Sequence, residues 1–187
     1  MKPYKLSVYE LFERHRRYVV PLFQRPYVWS SEKQWEPLWR DITAKAEEVI
    51  SAATGDPNRR VRDHFLGAVV QSKIQTFGRQ VTALDVIDGQ QRLTTLQVLL
   101  TAFRDYATIA NRADLAKSLA RLTYNECLMK HAWEAYKVWP TSTDRETFEA
   151  VMQAQTPAAL QKTFPLIRRR YTNKYLPRPR LVEAYLT

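Results

Sequence analysis

One cysteine, Cys127, rules out an internal disulfide, and three scattered histidines, His15, His64 and His131, leave no Cys/His set with the spacing of a zinc site. Glycine is scarce too. Gly55, Gly67, Gly78 and Gly89 cannot be assembled into a GxxxxGK run, which excludes a P-loop NTPase. Nowhere do about 18 apolar residues follow one another, and no apolar signal core follows Met1-Lys2-Pro3-Tyr4-Lys5, so the expectation is a cytoplasmic protein without membrane contact. Acidic residues are in deficit, 19 against 29 Lys and Arg, for a net charge of +10. Much of that excess sits in residues 162–187, where Lys162, Arg168, Arg169, Arg170, Lys174, Arg178 and Arg180 face a single acid, Glu183. With Tyr171, Tyr175 and Tyr185 interleaved, this tail suits contact with a phosphate backbone, although a solvated helix end has the same composition.

What is present suffices for one core. At 45% hydrophobic residues over 187, the expectation is a domain spanning 1–110 and a helical extension with the basic tail over 111–187. Ser7 and Glu10 have capping-box spacing ahead of Val8, Leu11 and Phe12, which predicts a short helix near 7–14. Tyr18-Val19-Val20 reads as a strand running into Pro21, and the segment from Pro21 to Trp29, with a second proline at Pro26, reads as an ordered loop. Ser30 or Ser31 is expected to cap a helix whose Trp35, Leu38, Trp39, Ile42, Ala46 and Val49 share one face, ending near Gly55. The apolar run from His64 to Gln71 reads as a strand covered on both faces. It is expected to pair, around a turn at Phe77-Gly78-Arg79, with a second strand from Val81 to Ile87. A helix carrying Leu93, Leu96, Leu99, Leu100 and Phe103 on one face follows. Further on, Leu115, Leu119 and Leu122 form one helical stripe and Phe148, Val151 and Met152 another, joined by an extended link over Tyr136 to Pro140. Thr143 or Asp144 is the expected cap of the later helix. The chain closes on no obvious terminal element, and the expectation is a piece of a longer architecture.

Strand, tight turn and helix meet at Asp88-Gly89-Gln90-Gln91-Arg92. The first turn of a helix presents backbone N–H groups without intrahelical partners, together with the positive end of the dipole, and so attracts an oxyanion. Gly89 lacks the Cβ that would keep a ligand away and tolerates positive φ. Arg92, one turn on, can offer a bidentate fork to phosphate. Asp88 can hold Mg²⁺ or orient a nucleophile. Gln90 and Gln91 can hydrogen-bond phosphate, ribose or base, and Thr94 and Thr95 place hydroxyls near the same mouth. The same five residues also suit a purely structural role, in which Asp88 caps the helix and Arg92 pairs with a carboxylate.

The stretch Val86-Ile87-Asp88-Gly89-Gln90-Gln91-Arg92-Leu93-Thr94-Thr95-Leu96 resembles the signature of GmrSD-type restriction systems, whose N-terminal domain has the ParB/sulfiredoxin-like fold. Val20-Pro21-Leu22-Phe23-Gln24-Arg25-Pro26-Tyr27-Val28-Trp29 resembles a second segment of that family, and His64 to Val70 a third, all in order over residues 7–107. The resemblance implies an α/β domain, a small mixed sheet flanked by helices, with a helical C-terminal extension. It further implies binding and hydrolysis of a nucleoside triphosphate, GTP or another, with Mg²⁺, coupled to cleavage of modified phage DNA. On that reading Asp88, Gln91 and Arg92 are catalytic, while Gly89, Gln90, Arg92, Thr94, Thr95, Gln24 and Arg25 bind the nucleotide. Tyr27 and Trp29, with Arg168, Arg169 and Arg170 of the tail, sense DNA or its modification. Phe23 stands where many relatives carry Tyr, keeping the ring without the hydroxyl. The family's nuclease lies in an HNH-type domain of which these residues hold no pattern, so a C-terminal or separate nuclease partner is implied.

Two other readings compete. One drops hydrolysis and leaves a ParB-like DNA-binding adaptor switched by nucleotide. The other makes the domain itself a metal nuclease through Asp63, Gln71 and Lys73, residues that would share a strand face; Gln71 is a poor substitute for a second carboxylate on Mg²⁺.

Overall fold

Ser7 and Glu10 cap each other: the Glu10 amide donates to Ser7 Oγ at 3.2 Å and the Ser7 amide to Glu10 Oε2 at 2.7 Å. This reciprocal pair starts helix α1 (Val8–Glu13) where the spacing predicts it. In the computed structural model, which describes residues 3–55, 61–76, 80–126, 131–160 and 162, α1 seats its buried Phe12 edge-on against Tyr18 of β1 (Arg16–Val19), ring centroids 5.9 Å apart. The Tyr18 hydroxyl donates to the Leu11 carbonyl at 2.8 Å, so the tyrosine is buried at no cost to its polar tip.

The class is mixed α/β, as anticipated. Strands β1, β2 (Val70–Lys73), β3 (Thr82–Asp88) and β4 (Val138–Trp139) form one sheet in the order β2-β3-β1-β4. β1 runs parallel to β3, from Arg16 beside Thr82 to Val19 beside Asp85, and parallel to β4, with Tyr18 beside Val138. β2 is antiparallel to β3, which is the expected hairpin pairing, with an irregularity between Val70 and Gln71; the turn residues 77–79 lie outside the described set.

The expected strand over 64–71 is a difference. Pairing begins only at Val70, and Gln71 to Lys73 are exposed. The reasons are local and topological: Gly67 sits at φ 100°, which interrupts an extended run, and β2 is an edge strand with β3 as its one neighbour. Asp63 therefore lies off the strand that carries Gln71 and Lys73, and the shared face that the metal-nuclease reading requires is not formed.

Helix α3 (Gln90–Ile109) is the core element, burying Leu93, Leu96, Val98, Leu100 and Ala107. Its buried Gln97 donates to the Leu122 carbonyl at 3.0 Å, fixing the end of α4 (Ala113–Thr123). Of the predicted α4 stripe, Leu122 is buried, Leu119 half-buried and Leu115 exposed. α5 (Arg145–Gln153) buries Phe148, Val151 and Met152, as its spacing predicts. Its last turn is held by Arg104 Nη2 and the Tyr124 hydroxyl, both donating to the Met152 carbonyl at 2.9 and 2.6 Å.

Tertiary contacts divide the chain into two units, Met1–Val28 with Val69–Thr187, and Trp29–Ala68. The anticipated boundary at residue 110 falls inside the first unit, because β4 pairs with β1. In the second, a π-helical turn (Ser31–Trp35) leads into α2 (Glu36–Thr54), with Pro37 in its first turn. No side-chain cap forms at Ser30; instead Gln34 Oε1 accepts from the Ser30 amide at 2.9 Å. Only Trp35 of the predicted stripe is buried, and Trp39 and Val49 are exposed. No helix among the described residues is long and apolar enough to cross a membrane.

Candidate functional site

β3 ends at Asp88 and α3 begins at Gln90, so one residue makes the turn. That residue is Gly89, at φ 92° and ψ 10°, a left-handed conformation that a Cβ strains. The Leu93 amide donates to the Gly89 carbonyl at 3.0 Å, which closes the first turn and aims the earlier amides along the helix axis. Gly89 takes the capping position without a side-chain bond, and Asp88 is the exposed last residue of the strand. Arg92 is half-buried on the first turn.

The Pro21–Val28 loop is fastened across this junction by side-chain amides. Gln91 Nε2 donates to the Pro26 carbonyl at 3.0 Å while its Oε1 accepts from the Val28 amide at 2.8 Å. One carboxamide thus pairs with the loop backbone at both ends, much as a neighbouring strand would. Gln24 Nε2 donates to the Ile87 carbonyl at 3.1 Å, and Gln24 Oε1 accepts from Gln90 Nε2 at 3.1 Å. Thr95 gives its hydroxyl hydrogen to the Gln91 carbonyl at 2.8 Å, so in the 2.5 Å contact between Tyr27 and Thr95 the tyrosine is the donor. Gln90, Gln91, Thr94, Thr95 and Tyr27 are all buried.

The structure therefore brings Gln24, Tyr27, Gly89, Gln90, Gln91 and Thr95 together through direct bonds or chain continuity. Arg25 is exposed on the same loop, and Thr94 is buried in α3. Trp29 falls in the second unit, and Arg168, Arg169 and Arg170 lie outside the described residues. The far anchor of the loop has no signature in the sequence. The Tyr27 amide and the Thr141 hydroxyl both donate to Asp144 Oδ2 at 2.8 Å, so Asp144 holds the loop instead of capping α5 with its side chain. Tyr27 and Asp144 are 117 positions apart in sequence, so no local pattern could signal this pair.

Burial pushes the Asp144 carboxyl above its ordinary value, against the opposing bonds from Thr141 and Tyr27. A raised value means that the fold favours the protonated form: its contribution is complete below the ordinary aspartate range and is lost as pH rises through the raised value. Asp144→Asn keeps an oxygen for both donors and carries no charge. Its melting temperature is expected to equal that of the parent in acid and to exceed it at neutral pH. Coincident melting curves from acid to neutral pH would show that desolvation does not dominate at this carboxyl.

Fold and junction together define a small mixed α/β domain in which a glycine turn joins a sheet strand to the core helix under a braced loop. The family model described as the GmrSD restriction endonuclease, N-terminal domain, matches residues 8–184, and the chain belongs to that family. No curated protein matches the chain.

Proposed function

We propose that this domain binds a nucleoside triphosphate at the Asp88–Arg92 turn and senses DNA, as the N-terminal module of a modification-dependent restriction system acting with a nuclease domain or subunit. The supporting observation is the β3–α3 junction, where left-handed Gly89 opens a 20-residue helix with Arg92 on its first turn. An oxyanion there meets backbone amides, the helix dipole and a guanidinium. Exposed Asp88 suits Mg²⁺, which commonly takes one or two carboxylates and fills its other positions with phosphate oxygens and water. GTP and other triphosphates share the phosphate chemistry that this turn would recognise. Gln24 and Gln90 then shape the mouth, Arg25 is the exposed cation beside it, and Gln91 and Thr95 act by holding the loop.

A second reading, the nucleotide-switched DNA-binding adaptor, is favoured by one observation: both ends of the Gln91 carboxamide are engaged with the loop, so this side chain is not set to orient water. In that reading nucleotide binds without turnover.

A thermal-shift screen of nucleotides with and without Mg²⁺ tests both, because a ligand that binds only the folded form raises its stability, by about 2.7 kcal/mol at a hundred times Kd. Arg92→Ala is expected to weaken the stabilising nucleotide roughly 10- to 100-fold, the worth of one charge-assisted contact. Stabilisation with turnover that Arg92→Ala abolishes supports the hydrolytic reading, and stabilisation without turnover supports the adaptor. If no nucleotide shifts the transition, neither nucleotide reading stands.

A further inference from the structure

Leu22 and Phe23 form the tip of a tight turn closed by the Gln24 amide donating to the Pro21 carbonyl at 3.1 Å. Their side chains are 71% and 83% exposed. Scattered exposed apolar residues are ordinary on a protein surface. Here, however, two neighbours are held out on a rigid support, because Gln24 bonds both the Ile87 carbonyl and the Gln90 carboxamide of the β3–α3 junction. Ile87 and Val28, at the base of the same loop, are exposed as well, and so is the cation that follows the tip, Arg25.

An apolar tip beside a cation suits a polyanion with an apolar interior. DNA has that character: its phosphates attract the guanidinium, and its base steps accept Phe or Leu as a wedge. Charge points the same way. Residues 3–28, which include the turn, carry five basic and two acidic side chains. A free nucleotide fits less well, since small ligands are taken into concave sites that cover most of their surface, and Phe23 projects instead.

We propose that the Leu22–Phe23 turn is a wedge that enters a DNA base step, with Phe23 stacking on a base, Leu22 filling the opened step and Arg25 meeting the adjacent phosphate. The inference rests on the DNA-sensing reading above and adds to it the residues that touch the bases. Unstacking costs least at flexible or altered steps, so such a wedge reports how firmly a base is held in its stack.

The test uses the full chain and duplexes carrying 2-aminopurine, whose fluorescence rises when it is unstacked. The parent protein is expected to raise the fluorescence on binding. Phe23→Ala is expected to abolish the rise and to weaken binding by on the order of tenfold, the effect of losing one base–aromatic stack. Arg25→Ala is expected to keep the rise while weakening binding at all sequences and lowering the salt dependence. Because Phe23 is exposed, its alanine variant should melt with the parent, which separates a binding defect from a folding one. DNA binding by Phe23→Ala with affinity and fluorescence unchanged overturns the wedge and leaves the DNA-sensing reading intact. A Phe23→Ala defect confined to nucleotide affinity overturns it in favour of a base contact in the nucleotide site. Failure of the parent protein to bind any duplex overturns the wedge and the DNA-sensing reading together.

Discussion

Replacing Gln91 by leucine is expected to lower stability by about 2–4 kcal/mol and to release the Pro21–Val28 loop from α3. The carboxamide satisfies two backbone groups of the loop, the Pro26 carbonyl and the Val28 amide, at 3.0 and 2.8 Å. A buried polar group that loses its partner costs about 1–3 kcal/mol, and both of these are partly sheltered from water. Leucine is a good helix former of similar size, so α3 itself has no reason to fray. The loss should therefore appear as lower resistance to denaturant together with faster amide exchange of Val28. Gln91→Glu provides a graded control, since it keeps an acceptor for Val28 but sets a carboxylate against the Pro26 carbonyl. A leucine variant as stable as the parent, with Val28 still protected, would mean that the loop is held by Tyr27 and Gln24 alone. If Gln91 instead acted on the nucleotide, turnover would fall with stability unchanged.

The parts of this architecture that were legible in the sequence are those encoded by neighbours. The capping box at Ser7 and Glu10, the apolar period from Leu93 to Leu100 and the Phe148, Val151, Met152 stripe each lie within a few residues of one another, and each forms as its spacing dictates. The strand–Gly89–helix junction was legible for the same reason. The apolar run from His64 to Val70 misled because hydrophobicity alone does not specify a partner: Gly67 turns the chain, and β2 has a neighbour on one side only. β4, two residues long, is a strand solely because β1 lies beside it, and no periodicity can show over two positions. The glutamines present a different difficulty. A carboxamide bonds phosphate, base or peptide groups with equal facility, so residue type alone does not specify the contacts of Gln91 with Pro26 and Val28. Asp144 is a similar case. Its place ahead of α5 suggested a cap, yet its oxygen accepts from a residue far away in the chain.

Phe148→Ala is expected to cost about 3–5 kcal/mol, the usual range for removing a fully buried aromatic side chain, and to lower the melting temperature by on the order of 10 °C. Phe148 is wholly buried and meets Tyr136 edge-on at 6.0 Å, while Tyr136 stacks on Trp139 of β4. The cavity therefore opens behind the strand that completes the sheet. β4 in turn receives two amides from the β1 region, Tyr18 to the Lys137 carbonyl and Val20 to the Trp139 carbonyl, both at 2.8 Å. α5 also follows directly on Asp144, the anchor of Tyr27. If residues beyond 110 formed an independent extension, the substitution would loosen α5 and leave amide protection in β1 and β3 untouched. The β1–β4 pairing requires the opposite. Protection at Tyr18 and Val20 should fall together with that of α5, in one cooperative step, and the loop over the Gly89 turn should loosen with them because its outer anchor, Asp144, immediately precedes that helix.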